Sequence, residues 1–174
     1  MTNVIHERPG VYSSYDASTA VRGGRAVRTV GVAAKSVSGT AGQVVRLTSY
    51  EMGLSAFGED DAGTPGMSTI LRLLFLGGAS TVAAVRVEGE DYTAAFAALQ
   101  AAEDVQVVVC DSGELTVQQA LRASLESASA AWRERIAVVG MSGASTAELV
   151  ERAKALNSER MVLVGPDGLD SSGK

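Results

Sequence analysis

The sequence predicts an α/β fold with a largely parallel sheet, helices on both of its faces, and an extended amino-terminal arm before it. After residue 80, short apolar runs alternate regularly with amphipathic stretches, which is typical of parallel strands joined by crossover helices. The apolar runs are almost continuous, as in strands that are covered on both faces. The first segment of the chain, in contrast, combines polar groups with a proline and a glycine and has no core of its own.

Residues 1–26 are predicted to form this extended arm and its linker. Pro9 forces the preceding residue into an extended conformation and cannot donate a ladder hydrogen bond. The arm must therefore lie on its own domain, lie on another chain or stay loose. The residues expected to make its contacts are two apolar pairs and the Pro-Gly step between them: Val4, Ile5, Pro9, Gly10, Val11 and Tyr12.

A glycine pair between two arginines follows the arm and is typical of a flexible connector. Its residues are Arg22, Gly23, Gly24 and Arg25. An anion site here is the weaker interpretation, because a solvated basic linker, or one that faces an acidic neighbour, accounts for the same residues. Residues 27–166 are expected to form the α/β domain, and the polar residues 167–174 are expected to be disordered.

Six apolar runs predict the strands of the domain: 29–34, 44–48, 81–87, 105–110, 136–140 and 161–164. Helices are predicted between them from capping signals, namely Ser49 and Asp91 as single caps, and Thr116 with Gln119 and Ser145 with Glu148 as capping boxes. The helix after residue 115 is expected to turn one side inward: Val117, Leu121, Leu125, Ala128 and Trp132. The core is expected to include Leu71, Phe75, Val85, Val109, Leu121 and Val139.

Composition and charge exclude several classes of protein. The chain has 174 residues, 46% of them hydrophobic, which favours one globular domain with appendages. A net charge of −5 argues against a nucleic-acid partner. The single cysteine, Cys110, allows no disulfide within the chain. Polar residues near the start argue against a signal peptide, and the longest apolar stretch is interrupted by Arg72 and Gly77-Gly78, so no membrane span is expected.

Two strand ends deserve testing as catalytic sites. Gly140-Met141-Ser142-Gly143-Ala144 approaches a nucleophile elbow but has alanine in place of the second glycine, and the only histidine, His6, lies in the arm. Asp111 follows an apolar strand, where an aspartate can accept a phosphoryl group or bind a metal, but no second acid accompanies it at the required spacing. A turn residue is the better interpretation of each, and no enzyme activity is predicted.

No metal or cofactor site is predicted elsewhere. The acidic run Glu59-Asp60-Asp61 lacks the ligand spacing of a calcium loop and is expected to be a solvated loop. Cys110 is expected to be a small buried hydrophobe. No phosphate-binding glycine loop and no paired histidines or cysteines are present in the sequence.

Two short motifs resemble contractile phage tail sheath proteins. The first is Arg8-Pro9-Gly10-Val11-Tyr12 followed by the apolar strand Val30-Gly31-Val32-Ala33-Ala34. The second is Phe75-Leu76-Gly77-Gly78-Ala79 followed by the strand Val82-Ala83-Ala84-Val85-Arg86-Val87. They stand in the order that sheath proteins have, and the later α/β alternation is similar to the sheath domain. The chain departs from the family in stopping before a carboxyl-terminal domain, so it resembles the first part of a longer subunit.

The resemblance implies a structural role. Sheath subunits form hexameric rings that stack helically around a tail tube, are stitched together by extended arms, and contract to drive the tube through a target envelope. It therefore implies other sheath subunits, the tube and the baseplate as partners, no cofactor, and a place in the virion tail after assembly in the host cytoplasm. The resemblance leaves open whether the particle is a phage, a prophage-derived particle or another injection system.

Two other functions stay open on the sequence alone. One is a small Rossmann-like domain that binds a nucleotide or another ligand at the strand ends near Asp111 and Ser142. The other is a regulatory or adaptor domain whose arm binds another protein.

Overall fold

A computed structural model describes residues 29–61, 65–143 and 145–165. The predicted arm and linker, residues 1–26, and the predicted tail, residues 167–174, lie outside the described residues. The described chain contains six strands and five helices in this order: β1 (Thr29–Lys35), β2 (Val44–Leu47), α1 (Tyr50–Phe57), α2 (Met67–Leu76), β3 (Thr81–Val87), α3 (Thr93–Ala101), β4 (Val105–Cys110), α4 (Leu115–Ala130), β5 (Ile136–Gly140), α5 (Thr146–Leu156) and β6 (Met161–Val164).

The strands form one sheet in the order β2-β3-β1-β4-β5-β6. Every neighbouring pair is parallel except β2 with β3, which is antiparallel. The predicted α/β class and largely parallel sheet are confirmed. β1 lies inside the sheet, with Val32 opposite Ala84 of β3 on one side and opposite Val109 of β4 on the other.

Helices cover both faces of the sheet, as predicted, but they cover them unequally. On one face α3, α4 and α5 bury a cluster that includes Phe96, Leu121 and Leu156. On the other face α1 and α2 bury a smaller cluster around Leu47, Phe57, Met67 and Leu71. The smaller cluster draws its strand residues from β1, β2 and β3, with Val109 at its border. The two short helices therefore cover only one half of their face.

Most local predictions are confirmed. The six strands lie where the apolar runs predict them, to within one residue. Ser49 caps α1 by accepting from the Met52 amide, and Ser145 with Glu148 forms the predicted capping box. Asp91 accepts a hydrogen bond from the Thr93 amide at 2.8 Å, so its carboxylate binds the first turn of α3, although it lies one residue before the cap position.

Two predictions for α4 are wrong. The helix begins at Leu115, and no side chain of its cap residue, Glu114, binds the first turn, so the Thr116 and Gln119 capping box does not form. Trp132 is 92% exposed, because α4 ends at Ala130 and the chain then turns toward β5. Trp132 takes a left-handed φ of 61°, and the amide of Arg133 donates to the Ala128 carbonyl. This is the Schellman end of a helix, at a position where glycine is usual.

Four of the six predicted core residues, Leu71, Val85, Leu121 and Val139, are buried to 3% exposure or less. The other two, Phe75 and Val109, are only partly buried against the α1–α2 cluster. Close approach of α1 and α2 depends on Gly53, because a Cβ there would stand 2.6 Å from Leu71 Cδ1. Within the described ranges, no helix is long and apolar enough to cross a membrane.

Candidate functional site: the strand ends and the switch point of the sheet

The sheet has one topological switch point, between β1 and β4. From β1 the chain moves to β3 on one side, and from β3 it returns past β1 to β4 on the other. In open α/β sheets, ligands bind in the crevice at the carboxyl ends of the strands at this point. Lys35 ends β1 and Asp111 follows β4, so these residues stand where a ligand of the alternative, Rossmann-like function would bind.

Hydrogen bonds from the chain itself occupy the Asp111 carboxylate. Asp111 Oδ2 accepts from the Lys35 amide at 2.8 Å, and Oδ1 accepts from the Tyr92 hydroxyl at 2.5 Å. Tyr92 is only 4% exposed and its ring lies 5.8 Å from that of Phe96. Burial and the bond to Asp111 raise the pKa of Tyr92 above its usual value, so the phenol stays protonated and donating. Asp111 therefore links the carboxyl ends of β1 and β4 through hydrogen bonds, which is a structural role typical of a turn residue.

Cys110, beside Asp111, is not an activated thiol. Its Sγ donates to the Ser112 carbonyl oxygen at 3.6 Å, and burial raises the pKa of the thiol to about 11. A thiol with such a pKa is almost wholly protonated at neutral pH, whereas nucleophilic cysteines have lowered pKa values.

The turn after β5 contains Ser142 on the protein surface. The residue that holds this region is Gln118 of α4, which is fully buried. Its Nε2 donates to the Gly140 carbonyl at 2.8 Å, and its Oε1 accepts from Arg152 Nη1 at 3.1 Å. These contacts link α4, β5 and α5 without any group that could act as a base toward Ser142. His6 lies outside the described residues.

Sequence reasoning missed Gln118, although a signal existed. Position 118 lies three residues before Leu121 and seven before Leu125, on the inward side of α4. A polar residue at such a position must find buried partners.

The acidic run before α2 supplies a helix cap. Asp60 Oδ2 accepts from the amides of Gly66 and Thr69, both at 2.8 Å, and Oδ1 accepts from the Ser68 amide at 3.0 Å. Partial burial would raise the pKa of Asp60, but these bonds outweigh it and hold the pKa below its usual value. The expectation that this run is merely solvated is therefore wrong for Asp60. Among the described residues, no group of three or more His, Cys, Asp and Glu side chains could hold a metal ion.

A charged cluster lies at the opposite end of the sheet, where β1 begins at Thr29. Arg46 of β2 forms a bidentate pair with Asp104, with Nη2 to Oδ1 at 2.7 Å, and the Thr29 hydroxyl donates to Asp104 Oδ2 at 3.0 Å. The bond from Arg46 is the main cause of the lowered pKa of Asp104, about 2. The cluster fixes the start of β1 against β2 and the turn before β4.

The residues predicted to contact another subunit all lie outside the described ranges: Val4, Ile5, Pro9, Gly10, Val11 and Tyr12. The same holds for the predicted linker of Arg22, Gly23, Gly24 and Arg25.

Comparison with known proteins identifies the fold. No family model and no curated protein matches the sequence. A solved structure of the anti-feeding prophage helical sheath in its contracted state matches with a TM-score of 0.57 and 19% identity, over 91% of this chain and 45% of that chain. The chain has a sheath-like fold. The baseplate structure of the same prophage matches with a TM-score of 0.55 and 17% identity, over 91% of this chain and 46% of that chain. The chain thus spans less than half the length of either neighbour.

Proposed function

We propose that this chain is part of a structural subunit of a contractile tail sheath, which polymerises around a tail tube and contracts to drive the tube through a target envelope. The observation that carries the proposal is the likeness to the helical sheath of the anti-feeding prophage, which extends over 91% of the chain. The motifs around Pro9-Gly10-Val11-Tyr12 and Gly77-Gly78, each followed by an apolar strand, support it independently. The proposed partners are other sheath subunits, in stacked hexameric rings, the tube protein and the baseplate. The proposed location is the tail of a phage or prophage-derived particle, after assembly in the host cytoplasm.

A non-enzymatic role agrees with the chemistry of the strand ends. Asp111 is occupied by the Lys35 amide and the Tyr92 hydroxyl, and the Cys110 thiol is protonated. Neither residue is poised for nucleophilic or phosphoryl chemistry. A rigid sheet with tied strand ends suits a domain that moves as one body.

In this proposal, residues 1–26 mediate assembly and residues 27–166 form the rigid part of the subunit. An extended arm can add a strand to the sheet edge of a neighbouring subunit, with main-chain hydrogen bonds providing affinity. At ~1 kcal/mol net for each bond, one short arm contributes only a few kcal/mol. Many arms acting in one lattice multiply that contribution through their effective concentration.

Electron microscopy of the full-length subunit tests the proposal. The intact protein should form rings or tubes, whereas deletion of residues 1–15 should block polymerisation and leave the circular dichroism melt cooperative. A matched control is Val37→Ser, which changes a valine that is 59% exposed in the described domain and should leave the tubes intact. If the truncated protein formed normal tubes, the arm would have no role in assembly. If the truncated protein lost its cooperative melting transition, the arm would be part of the core. The domain would then begin before residue 27.

Thermal melts with nucleotides test the competing ligand-binding function. We expect no change in Tm with millimolar ATP or NAD, because the donors at the switch point are engaged with Asp111. A rise of several degrees would indicate binding to the native state and would favour the Rossmann-like alternative.

A further inference from the structure

One half of the sheet presents an apolar surface that the described helices leave uncovered. Along β5, Ala137 and Val139 belong to the cluster under α3, α4 and α5, so the alternate residues Ile136 and Val138 face the other way. The neighbouring strands continue this surface in register, since Val107 lies opposite Ile136 and Val162 lies opposite Val138. We call it the open face, and it consists of six residues, of which Val109, at its edge, also packs against the α1–α2 cluster: Val107, Val109, Ile136, Val138, Val162 and Val164.

The open face is unusual for its exposure. Ile136 is 43% exposed, Val162 is 46% exposed and Val164 is 54% exposed. Side chains of this kind rarely stand together in water on a folded domain, and a contiguous group indicates an interaction surface. Its partner must be apolar, because the six side chains offer no hydrogen-bonding group or charge.

We infer that residues 1–28 of the same chain cover the open face in the unassembled subunit, with Val4, Ile5, Val11 and Tyr12 as the apolar contacts. The chain preceding Thr29 enters the sheet at the amino end of β1, directly beside β4. From β1 to β6 is three strand spacings, about 15 Å. Twenty-eight extended residues can span up to ~90 Å, so the segment reaches every part of the open face.

The size of the open face favours a tethered segment over a second copy. Six side chains, all of them partly buried already, offer much less than the ~800 Å² that each partner buries in a standard interface. A segment joined to the domain needs less area, because its effective concentration is in the millimolar range.

The inference concerns the unassembled chain and does not depend on the sheath proposal. If the arm also binds a neighbouring subunit, its residues must leave the open face first. The open face would then hold the arm back until a second binding site competes for it.

Paramagnetic broadening in the intact 174-residue chain tests the inference. A nitroxide is attached at Ser14→Cys, beside the proposed contacts, in a Cys110→Ser background, and amide signals are compared with the reduced label. We expect the strongest broadening at Val138, Val162 and Val164, and little at β2 on the far edge of the sheet. Uniform or absent broadening would overturn the inference.

A mixed sample distinguishes broadening within one chain from broadening between two chains. It combines protein that carries the nitroxide but no isotope label with protein that carries the isotope label but no nitroxide. Broadening that survives in the mixed sample would mean that the segment binds a second copy, which also overturns the inference. Broadening that disappears in the mixture supports it. Neither outcome depends on whether the full-length subunit forms tubes, so failure of the sheath proposal remains distinguishable.

A pair of charge substitutions provides the matched control. Val162→Lys should abolish most of the broadening at β5 and β6, because an ammonium group interrupts the apolar surface. Leu73→Lys places the same charge on α2, at a residue that is 59% exposed, and should leave the broadening unchanged. If both variants changed the broadening at β5 and β6 equally, the effect would come from the overall charge of the protein. That result would contradict apolar docking on the open face.

Discussion

Arg135 is the side chain whose loss should most clearly destabilise the domain. It precedes β5 and is only 3% exposed. Its Nη1 donates to the Leu99 carbonyl at 2.7 Å, and its Nη2 donates to the carbonyls of Gln100 at 3.2 Å and Ala102 at 2.5 Å. It thereby satisfies the last carbonyls of α3 and places a cation at the negative end of that helix. Burial lowers the pKa of Arg135, but a guanidinium remains protonated at any pH at which the protein folds.

The substitution Arg135→Met keeps most of the side-chain volume and removes every donor. Each buried carbonyl left without a partner costs roughly 1–3 kcal/mol. Two effects reduce the sum, since Arg133 Nη1 also donates to the Gln100 carbonyl at 3.0 Å, and removing a buried charge recovers its desolvation cost. Once these two effects are set against the lost hydrogen bonds, we expect the free energy of unfolding to fall by about 2–4 kcal/mol.

Urea unfolding followed by circular dichroism measures this loss, and a thermal melt should show Tm lower by about 5–15 °C. The control is Arg133→Met, which removes one hydrogen bond to a carbonyl that Arg135 still satisfies and should cost about 1 kcal/mol or less. If Arg135→Met unfolds within about 0.5 kcal/mol of the wild type, water or a relaxed helix end satisfies the carbonyls and the reasoning fails.

Three further predictions concern the core, the amino end of the sheet and the strand ends. Leu121→Ala should cost about 2–5 kcal/mol in urea unfolding, and an unchanged midpoint would contradict its place in the core. The pKa of Asp104, about 2, lies below its unfolded value, so the stability that it adds is present above pH 4 and is lost as pH falls from about 4 to 2. Asp104→Asn should remove that dependence and cost about 1 kcal/mol at pH 7 after allowance for solvent screening of Arg46, whereas an identical acid-unfolding curve would refute it. Asp111→Ala and Ser142→Ala should leave the biological activity of the full-length protein intact, apart from a modest loss of stability at a turn, and a variant that folds normally but is wholly inactive would revive the enzyme interpretation.

The sequence was sufficient to predict most of the fold because its signals are local. Each strand is a short apolar run, and each helix start at Ser49 or Ser145 depends on residues within three positions. The antiparallel direction of β2 was not predictable in this way, because it depends on how the chain crosses β3 rather than on its four residues. Trp132 was misplaced because helical periodicity continued past the residue at which α4 ends.

The contacts at the strand ends could not be predicted, because they join residues far apart in the chain. Asp104 binds Arg46 across 58 positions, and Asp111 binds the Lys35 amide across 76. The pattern favoured a turn role for Asp111, but it did not indicate that the Lys35 amide and the Tyr92 hydroxyl donate to its carboxylate. The open face could not be predicted from the sequence either, because its valines alternate along the strands in the same way as valines that helices cover.

The position of β1 also has a mechanical consequence. The described fold is entered at Thr29, at the amino end of an inner strand, and is left at Gly165, beyond the carboxyl end of β6. Because these strands are parallel, the two points lie at opposite ends of the sheet, and a pull between them acts along the strands. β1 is paired over its whole length with β3 and over most of it with β4, so its ladder bonds would share the load in shear rather than break one after another. A domain loaded in this way should transmit tension with little extension.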